Sequence, residues 1–536
     1  MKKFYFSTFL ILFSVSAGNS QTIFQQVFRN DSLMFDINYV SQTYDNGFVM
    51  AGSVSVYQLF GSGPGDVLMI RTDSTGNIMW TRKWDLANDE QVFSVLATPD
   101  SGFLLAGFTF GGTTLSRDGF ILKTDAAGNL LWVKRVDHNG ASNTFHSISP
   151  ARNGQYVYSG RSGGGAGGQY DMYMCLADSI GNMIWGKTFG GVDWDWGWWA
   201  EETADGGFIM TGESQSFGIG SNDIYLVKTD SVGNKMWSKV YGSSTFEKGL
   251  WVHQDDNRYY IGGYTQGFVP GNTDAKTFLM KTDDTGNPLW FKIYGEMSTP
   301  SCVQQTNDRG FILIGSSYNI PGGFGGTDVY VIKTDSAGNV LWSRNYGGSS
   351  GDGGTFISQL SYGFLIGGIT FSYVSPAIEK AYLIKTDDNG ISGCNDVAHT
   401  TTVYTGTLTV VIPADTVAAG FSVFVPSVIT SSPVIIRIVI CTVSVSAPEM
   451  ASFENLWNAF PNPSFGFITV RLKNTDGMIK SIRLFDDTGK QILIFDNTYF
   501  QNEIILDGSH LAAGLYLMKT ESEGGVFQAD KIIIQK

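Results

Sequence analysis

The chain is short of the residues that most metal and redox chemistry needs. Its 536 residues include only 5 histidines and 4 cysteines. His138, His146, His253, His399 and His510 form no His-x-x-x-His or His-Glu-x-x-His spacing, and no cysteine pair has zinc spacing. Neither a zinc hydrolase site nor a structural zinc is expected, and no other metal site or cofactor. Basic residues are also scarce: 35 Lys and Arg stand against 49 Asp and Glu, a formal net charge of −14. That balance excludes nucleic acid and anionic membrane surfaces as natural partners. A sustained 3.6-residue apolar period is missing from the repeated region described below, which excludes helices there. Beyond the first twenty residues no apolar run is long enough to span a bilayer, so no transmembrane segment is expected in the mature chain.

Glycine, by contrast, is abundant at 66 residues, and aromatics make up 14%. Both recur in register. The run Lys228-Thr229-Asp230-Ser231-Val232-Gly233-Asn234-Lys235-Met236-Trp237 has counterparts anchored at Asp73, Asp125, Asp178, Asp283, Asp335 and Asp387, every 52 or 53 residues. Each copy holds four short aromatic and β-branched runs bounded by Gly, Asp, Asn and Ser, the mark of strands and turns. Four strands repeated seven times predict an all-β fold, a seven-bladed β-propeller over residues 21–394. A β-solenoid is the alternative, but its coils are normally shorter. Within the motif, Asp accepts bonds from the backbone N–H groups of a turn. Gly three residues on takes a positive φ, and Trp fills the gap between blades. A second recurring acid, at Asp66, Asp118, Asp171, Asp223 and Asp328, reads alike as a turn cap. Its replacement by Lys276 and Lys380 in two repeats speaks against a ring of metal ligands.

The seventh copy ends at Cys394 without a tryptophan strand. The missing piece lies at the other end of the chain, in Thr22-Ile23-Phe24-Gln25-Gln26-Val27-Phe28. There Phe24 stands where other repeats have Trp80, Trp132, Trp185, Trp237, Trp290 or Trp342. This strand is expected to complete the last blade and remove an open sheet edge. Residues 1–20 read as a secretory signal peptide: Lys2 and Lys3, an apolar core over 4–15, then the small residues Ala17 and Ser20. Cys175 and Cys302 read as buried thiols. A Cys394–Cys441 disulfide is expected to tie the segment 395–446 to the last blade. That segment is rich in Val, Ile and Thr, with Pro413, Pro426 and Pro433. It reads as a small β-unit or a set of edge strands. Residues 447–459 read as a linker.

From residue 460 the pattern changes again. Pro461-Asn462-Pro463 opens the segment and Asp486-Asp487-Thr488-Gly489-Lys490 marks a turn. Leu511-Ala512-Ala513-Gly514-Leu515-Tyr516 follows, and the chain ends on Lys531-Ile532-Ile533-Ile534-Gln535-Lys536. Six or seven short strands suggest a β-sandwich. In this order the motifs closely resemble the type A C-terminal sorting domain of the type IX secretion system of Bacteroidota. The resemblance implies that residues 460–536 engage the secretion machinery, and that the cargo is secreted or attached to the outer-membrane surface. The repeats are also distantly similar to the tryptophan-docking repeats of quinoprotein propellers, which bears on architecture alone.

A search for catalytic motifs is negative. Gly160-Arg161-Ser162-Gly163-Gly164 and Gly347-Gly348-Ser349-Ser350-Gly351 match the nucleophile-elbow pattern but lack the helix that must follow. Gly163-Gly164-Gly165-Ala166-Gly167-Gly168 likewise has no helix to bind a phosphate. One cluster breaks the repeat: Asp193-Trp194-Asp195-Trp196-Gly197-Trp198-Trp199. Alignment on neighbouring repeats assigns Trp198 and Trp199 to strand core, and Trp194 and Trp196 to the loop entering the strand. Exposed Trp194 and Trp196 would stack a sugar ring while Asp193 and Asp195 bond its hydroxyls; the competing role is packing between blades. Three functions are compatible with this chain: a non-catalytic binding protein for polysaccharide or protein, a polysaccharide hydrolase or lyase, and an envelope scaffold.

Overall fold

Glycine-bracketed β-branched runs make strands, and the seven repeats make seven sheets. The computed structural model describes residues 21–58, 61–62, 65–86, 89–110, 116–165, 169–268, 274–318, 322–373 and 378–445. Towards the C-terminus it describes 457–460, 467–472, 478–485, 491–501, 503–507, 514–522 and 527–534. The expected signal peptide lies outside these residues. So do most of the expected linker, the Pro-Asn-Pro opening and the Gly489-Lys490 turn. Two compact units result, Gln21–Ser444 and a C-terminal unit beginning at Val445.

The first unit is the propeller. Its blades are antiparallel, and blades one to seven are numbered by their innermost strands. These are Leu33–Gln42, Glu90–Ala97, Asn143–Pro150, Asp195–Glu202, Glu247–Asp255, Thr299–Gln305 and Asp352–Gln359. In blade seven the strand Gln21–Arg29 pairs antiparallel with Lys380–Lys385, and Phe24 lies opposite Lys385. Trp237 and Trp342 lie opposite the equivalent Lys228 and Lys333, so Phe24 holds the tryptophan register. Each of these rings meets the first aromatic of the next blade's second strand. The centroid distances are 5.8 Å for Trp237–Tyr259, 5.7 Å for Trp342–Phe364 and 6.2 Å for Phe24–Phe48. These wedges are the contacts that join one blade's sheet to the next.

The recurring turn follows from its sequence. Asp230 Oδ1 accepts from the N–H groups of Val232 at 3.0 Å and Asn234 at 2.8 Å, and Oδ2 accepts from Asn234 Nδ2 at 2.9 Å. Gly233 adopts φ of 77°. A Cβ on Gly233 would sit 3.0 Å from the Trp185 ring of the preceding blade, so glycine is needed there for its conformation and for the approach of the wedge.

The segment 395–446 is neither a separate unit nor a single sheet. Its strands Asp396–His399, Val403–Thr405, Thr409–Val411, Thr416–Ala419, Ser422–Phe424, Ile429–Ser431 and Ile436–Val445 each add a fifth, outermost strand to a different blade. They visit blades six, five, four, three, two, one and finally seven, running backwards around the ring. Most are three or four residues long, the short edge that resists pairing with another chain. Side chains pin this belt. Buried Asp415 accepts from Tyr225 Oη, Lys235 Nζ and, at 3.0 Å, Ser238 Oγ. Thr81 Oγ1 donates to the Pro433 carbonyl at 2.6 Å. Cys394 and Cys441 are disulfide-bonded, with Cα atoms 6.3 Å apart. The bond joins the belt's start to its end, so the belt closes around all seven blades.

The C-terminal unit holds two antiparallel sheets. One contains Trp457–Phe460, Phe467–Leu472 and Glu503–Asp507. The other has the order Gln491–Gln501, Met478–Phe485, Gly514–Ser522, Phe527–Ile534. Ile482, Leu484, Tyr516 and Met518 are buried.

Candidate functional site on the loop face

The Asp turns, Asp230 to Asn234 and their equivalents, share one face of the propeller, the turn face. The links between blades and the loops between second and third strands share the other, the loop face. Trp194 and Trp196 sit on the loop face, where the chain enters blade four. Their rings stack at 5.5 Å, and Trp194 meets Tyr170 edge-on at 5.6 Å. The Arg161 guanidinium lies 3.8 Å over Trp196. Together with Glu213, Gln215, Asn222, Phe246 and Lys248, the two tryptophans line a cavity of about 230 Å³. Glu213 anchors it, accepting from Asn222 Nδ2 at 2.6 Å and Trp198 Nε1 at 3.2 Å, with Lys248 Nζ at 3.0 Å. Burial lowers the pKa of Lys248, and the paired Glu213 opposes that shift.

The two aspartates of the cluster go elsewhere. Asp193 is exposed. Asp195 is fully buried, and its Oδ2 accepts from Gly191 N–H at 2.8 Å and Ser216 Oγ at 2.7 Å. It faces the junction between blades three and four rather than the indole pocket. Trp198 is not strand core as the alignment suggested. It lines a second cavity, of about 320 Å³, in the central channel.

The channel wall has a rule that the sequence reading missed. Every innermost strand carries a bulge at the same register, and the extra residue is Asn38, Phe93, His146, Trp198, Leu250, Ser301 or Thr355. All seven line the channel cavity. A bulge re-aims one side chain per strand, here inward. Comparison of the repeats gives the signal: this position varies from blade to blade while the residue before it is always apolar or glycine. Phe93, His146 and Trp198 form an aromatic arc, with ring centroids 5.1 and 4.3 Å apart. Burial holds the His146 imidazole neutral, its pKa pushed down to about 3. No carboxylate lines this cavity among the described residues.

The elbow-like Ser162 is fully buried. Its Oγ lies 2.8 Å from His138 Nδ1 and accepts from Gly164 N–H at 3.1 Å. A substrate has no access to it. Of the Gly163–Gly168 loop, residues 166–168 lie outside the described residues. Cys175 and Cys302 are buried free thiols.

Residues 458–535 match the secretion system C-terminal sorting domain. This is the type IX tail, and it routes the protein out of the cell, to be secreted or held at the outer-membrane surface. Among the described residues no helix is long and apolar enough to cross a membrane. No curated protein matches the chain. Matching solved structures include the extracellular domain of a one-component system from B. thetaiotaomicron. It shows 10% identity and a TM-score of 0.26, covering 94% of this chain and 74% of that one. Another is a Bombyx mori GH32 β-fructofuranosidase in complex with sucrose, with 10% identity and a TM-score of 0.28, covering 69% and 90%. Scores this low carry no argument about activity.

Proposed function

We propose that this exported propeller is a non-catalytic binding protein whose ligand is a polysaccharide, held on the loop face of blade four. The observation that carries the reading is the stacked pair Trp194 and Trp196 beside Glu213, Gln215 and Asn222 in one cavity. Indole faces pack the apolar face of a sugar ring, and amide and carboxylate groups bond its hydroxyls. Glycan-array binding of the full-length protein tests this. Trp194→Ala with Trp196→Ala is expected to lower binding at least tenfold and leave the thermal midpoint nearly unchanged. Unchanged binding ends the proposal, and wild-type protein that binds proteins but no glycan replaces it with a protein ligand.

A second reading, a polysaccharide hydrolase, rests on a different cavity of about 250 Å³ lined in part by Asp36, Asp89, Glu90 and Glu379. Burial first, and the Asp36 charge second, push the Glu379 pKa up to about 7. A protonated acid beside an ionised one is the division of labour that glycoside hydrolysis uses. Release of reducing ends by the wild type, abolished in Glu379→Gln, would favour this reading.

A further inference from the structure

At each junction between blades, the start of one blade's third strand meets the start of the next blade's first strand. Four junctions carry a basic side chain there. Lys83 lies 2.5 Å from Asp66, and Arg135 pairs with Asp118. Lys276 and Lys380 replace the acid itself. Lys380 Nζ donates to the backbone carbonyls of Asn30 at 2.7 Å and Leu33 at 2.8 Å. The remaining three junctions have two carboxylates and no lysine or arginine partner: Asp171 with Asp195, Asp223 with Glu247, and Asp328 with Asp352, the last with the His399 imidazole near Asp328.

In the middle pair Asp223 Oδ1 also lacks a hydrogen-bond partner among the described residues, but Glu247 is saturated, accepting from Ser243 N–H and from the hydroxyls of Ser243, Thr245 and Thr265 at 2.7 to 3.0 Å. In the other two pairs neither acid is saturated: Oδ2 is bonded in Asp195 (Gly191 N–H, Ser216 Oγ), Asp328 (Phe324 N–H, Asn345 Nδ2) and Asp352 (Gly348 N–H, Ser372 Oγ), and Oδ1 is left over. Asp171, Asp195, Asp328 and Asp352 are each at most 3% exposed. Oδ1 of all four lacks a hydrogen-bond partner among the described residues. Within each pair the carboxylates converge over a glycine, Gly190 as the last residue of the intervening strand and Gly347 as the residue just after it. A Cβ on Gly190 would lie 2.2 Å from Asp171 Oδ1 and 2.7 Å from Asp195 Oδ2. A Cβ on Gly347 would lie 2.3 Å from Asp328 Oδ1 and 2.8 Å from Asp352 Oδ2. The two junctions are thus copies of one cradle that any side chain would fill.

Buried like charges with unpartnered oxygens are not tolerated without a proton or a cation. We infer that the junctions of blades three–four and six–seven are each a site for a divalent, oxygen-seeking cation, calcium in the extracellular setting. The lysines that displace the acid elsewhere supply the same charge from the chain itself, so a basic replacement is the counterpart of an ion site rather than evidence against one. All donors are oxygens, the set that calcium takes, and extracellular modules bind it with dissociation constants of about 0.1–1 mM. Burial, then the neighbouring Asp195 charge, pushes the Asp171 pKa up to about 7, and burial first pushes Asp352 up to about 6. The competing outcome is therefore a shared proton.

Equilibrium dialysis of the full-length protein against 1 mM calcium at pH 7.5, with metal analysis, decides between them. At those affinities the wild type is expected to retain about one to two calcium ions more than Asp171→Asn/Asp328→Asn. Each single variant is expected to lose half of that difference. Calcium at 10 mM is expected to raise the wild-type thermal midpoint by about 5 °C over EDTA, and to leave the double variant's midpoint unmoved. Equal calcium content in wild type and double variant overturns the inference. So does a wild-type midpoint that ignores calcium and rises only as the pH falls to 5.5, the signature of a shared proton. The wild-type melts stand even if a variant fails to fold.

Discussion

The two faces of the propeller each carry a recurring acid, and the two acids live under opposite physics. On the turn face, Asp73, Asp125, Asp178, Asp230, Asp283 and Asp335 are solvent-near. Slight burial raises their pKa, but bonds from backbone N–H groups and a side-chain amide or hydroxyl outweigh it and the net shift is downward. At the loop-face junctions that lack a lysine or arginine, Asp171, Asp223 and Asp328 are buried, and their pKa values rise. The same residue type at the same period is a structural cap on one face and an unneutralised charge on the other. What separates them is the count of donors within reach. Repetition in a sequence therefore marks a shared position in the fold, and the local donor set decides whether that position is saturated or open to a ligand.

One change should touch both faces alike and sets the scale. Opening the belt with Cys394→Ser and Cys441→Ser frees a loop of 47 residues and is expected to cost about 4 kcal/mol in the chain-entropy account. Urea unfolding measures it, and a cost below about 1 kcal/mol would mean that belt strands, not closure, hold the ring. A smaller effect belongs to the turn face alone. Trp237 wedges against Tyr259 but is only half-buried. Trp237→Ala is expected to cost about 2–3 kcal/mol, less than for a fully buried indole, with ligand affinity unchanged. A change in affinity would break the separation of a structural turn face from a binding loop face.

Much of this architecture was legible in the sequence because it is written in local chemistry. The Asp-x-x-Gly-Asn turn, the Trp after it and the Phe24 substitution each act within one or two blades. Fold, blade number and clasp follow from them. The sorting tail was legible because its motifs are linear. The belt was not legible as a belt. Strands of three residues between prolines carry no signal for which sheet they join, and their partners lie up to some four hundred residues away, as Asn30 does from Val434. The candidate site was legible in part. The period exposed Trp194 and Trp196 as exceptions and places Asp195 level with Glu247 and Asp352, but the direction this position faces, into the junction with the preceding blade, depends on a strand of another repeat. Trp198 was misplaced because alternation along the strand is disturbed by the bulge after Gly197. A bulge shifts the in–out register by one residue and sends the next side chain into the channel.

The comparison of the two acids sharpens when the same edit is made in both. Asp230→Ala removes three accepted bonds and is expected to destabilise by about 1–2 kcal/mol. In EDTA at pH 8, Asp171→Asn removes one of two facing charges and is expected to stabilise by a similar amount. The pH responses also oppose. A lowered folded pKa, as at Asp283 near 2, gives stability that is present above about pH 3.8 and lost as pH falls towards 2. A raised one, as at Asp171 near 7, makes the calcium-free protein lose stability as pH climbs from about 4 to 7. Chemical denaturation between about pH 2 and 4 reads the first and between about pH 5 and 8 the second, and two edits of the same sign would dissolve the contrast.

The smallest effect asks whether the turn face is free of any pH-labile contact. On that side of the channel His253 Nδ1 lies 3.0 Å from Glu201 Oε2, and Gln254 N–H donates to Oε1 at 2.6 Å. Burial lowers the imidazole pKa, but Glu201, helped by Asp255 and Gln305, outweighs it and the net shift is upward. The charged pair therefore adds stability that is complete below about pH 6.5 and fades as pH rises through the raised value. The histidine is one-third exposed, so solvent holds the contribution below about 1 kcal/mol. With calcium present the acids of its two sites stay ionised and silent across pH 6 to 8, and Asp223, pushed up to about 6 by burial, has lost its proton over most of that range. Any remaining fall in stability over that range should then vanish in His253→Asn. If it persists in that variant, the labile group is on the loop face, and the division between the two faces extends to their response to pH.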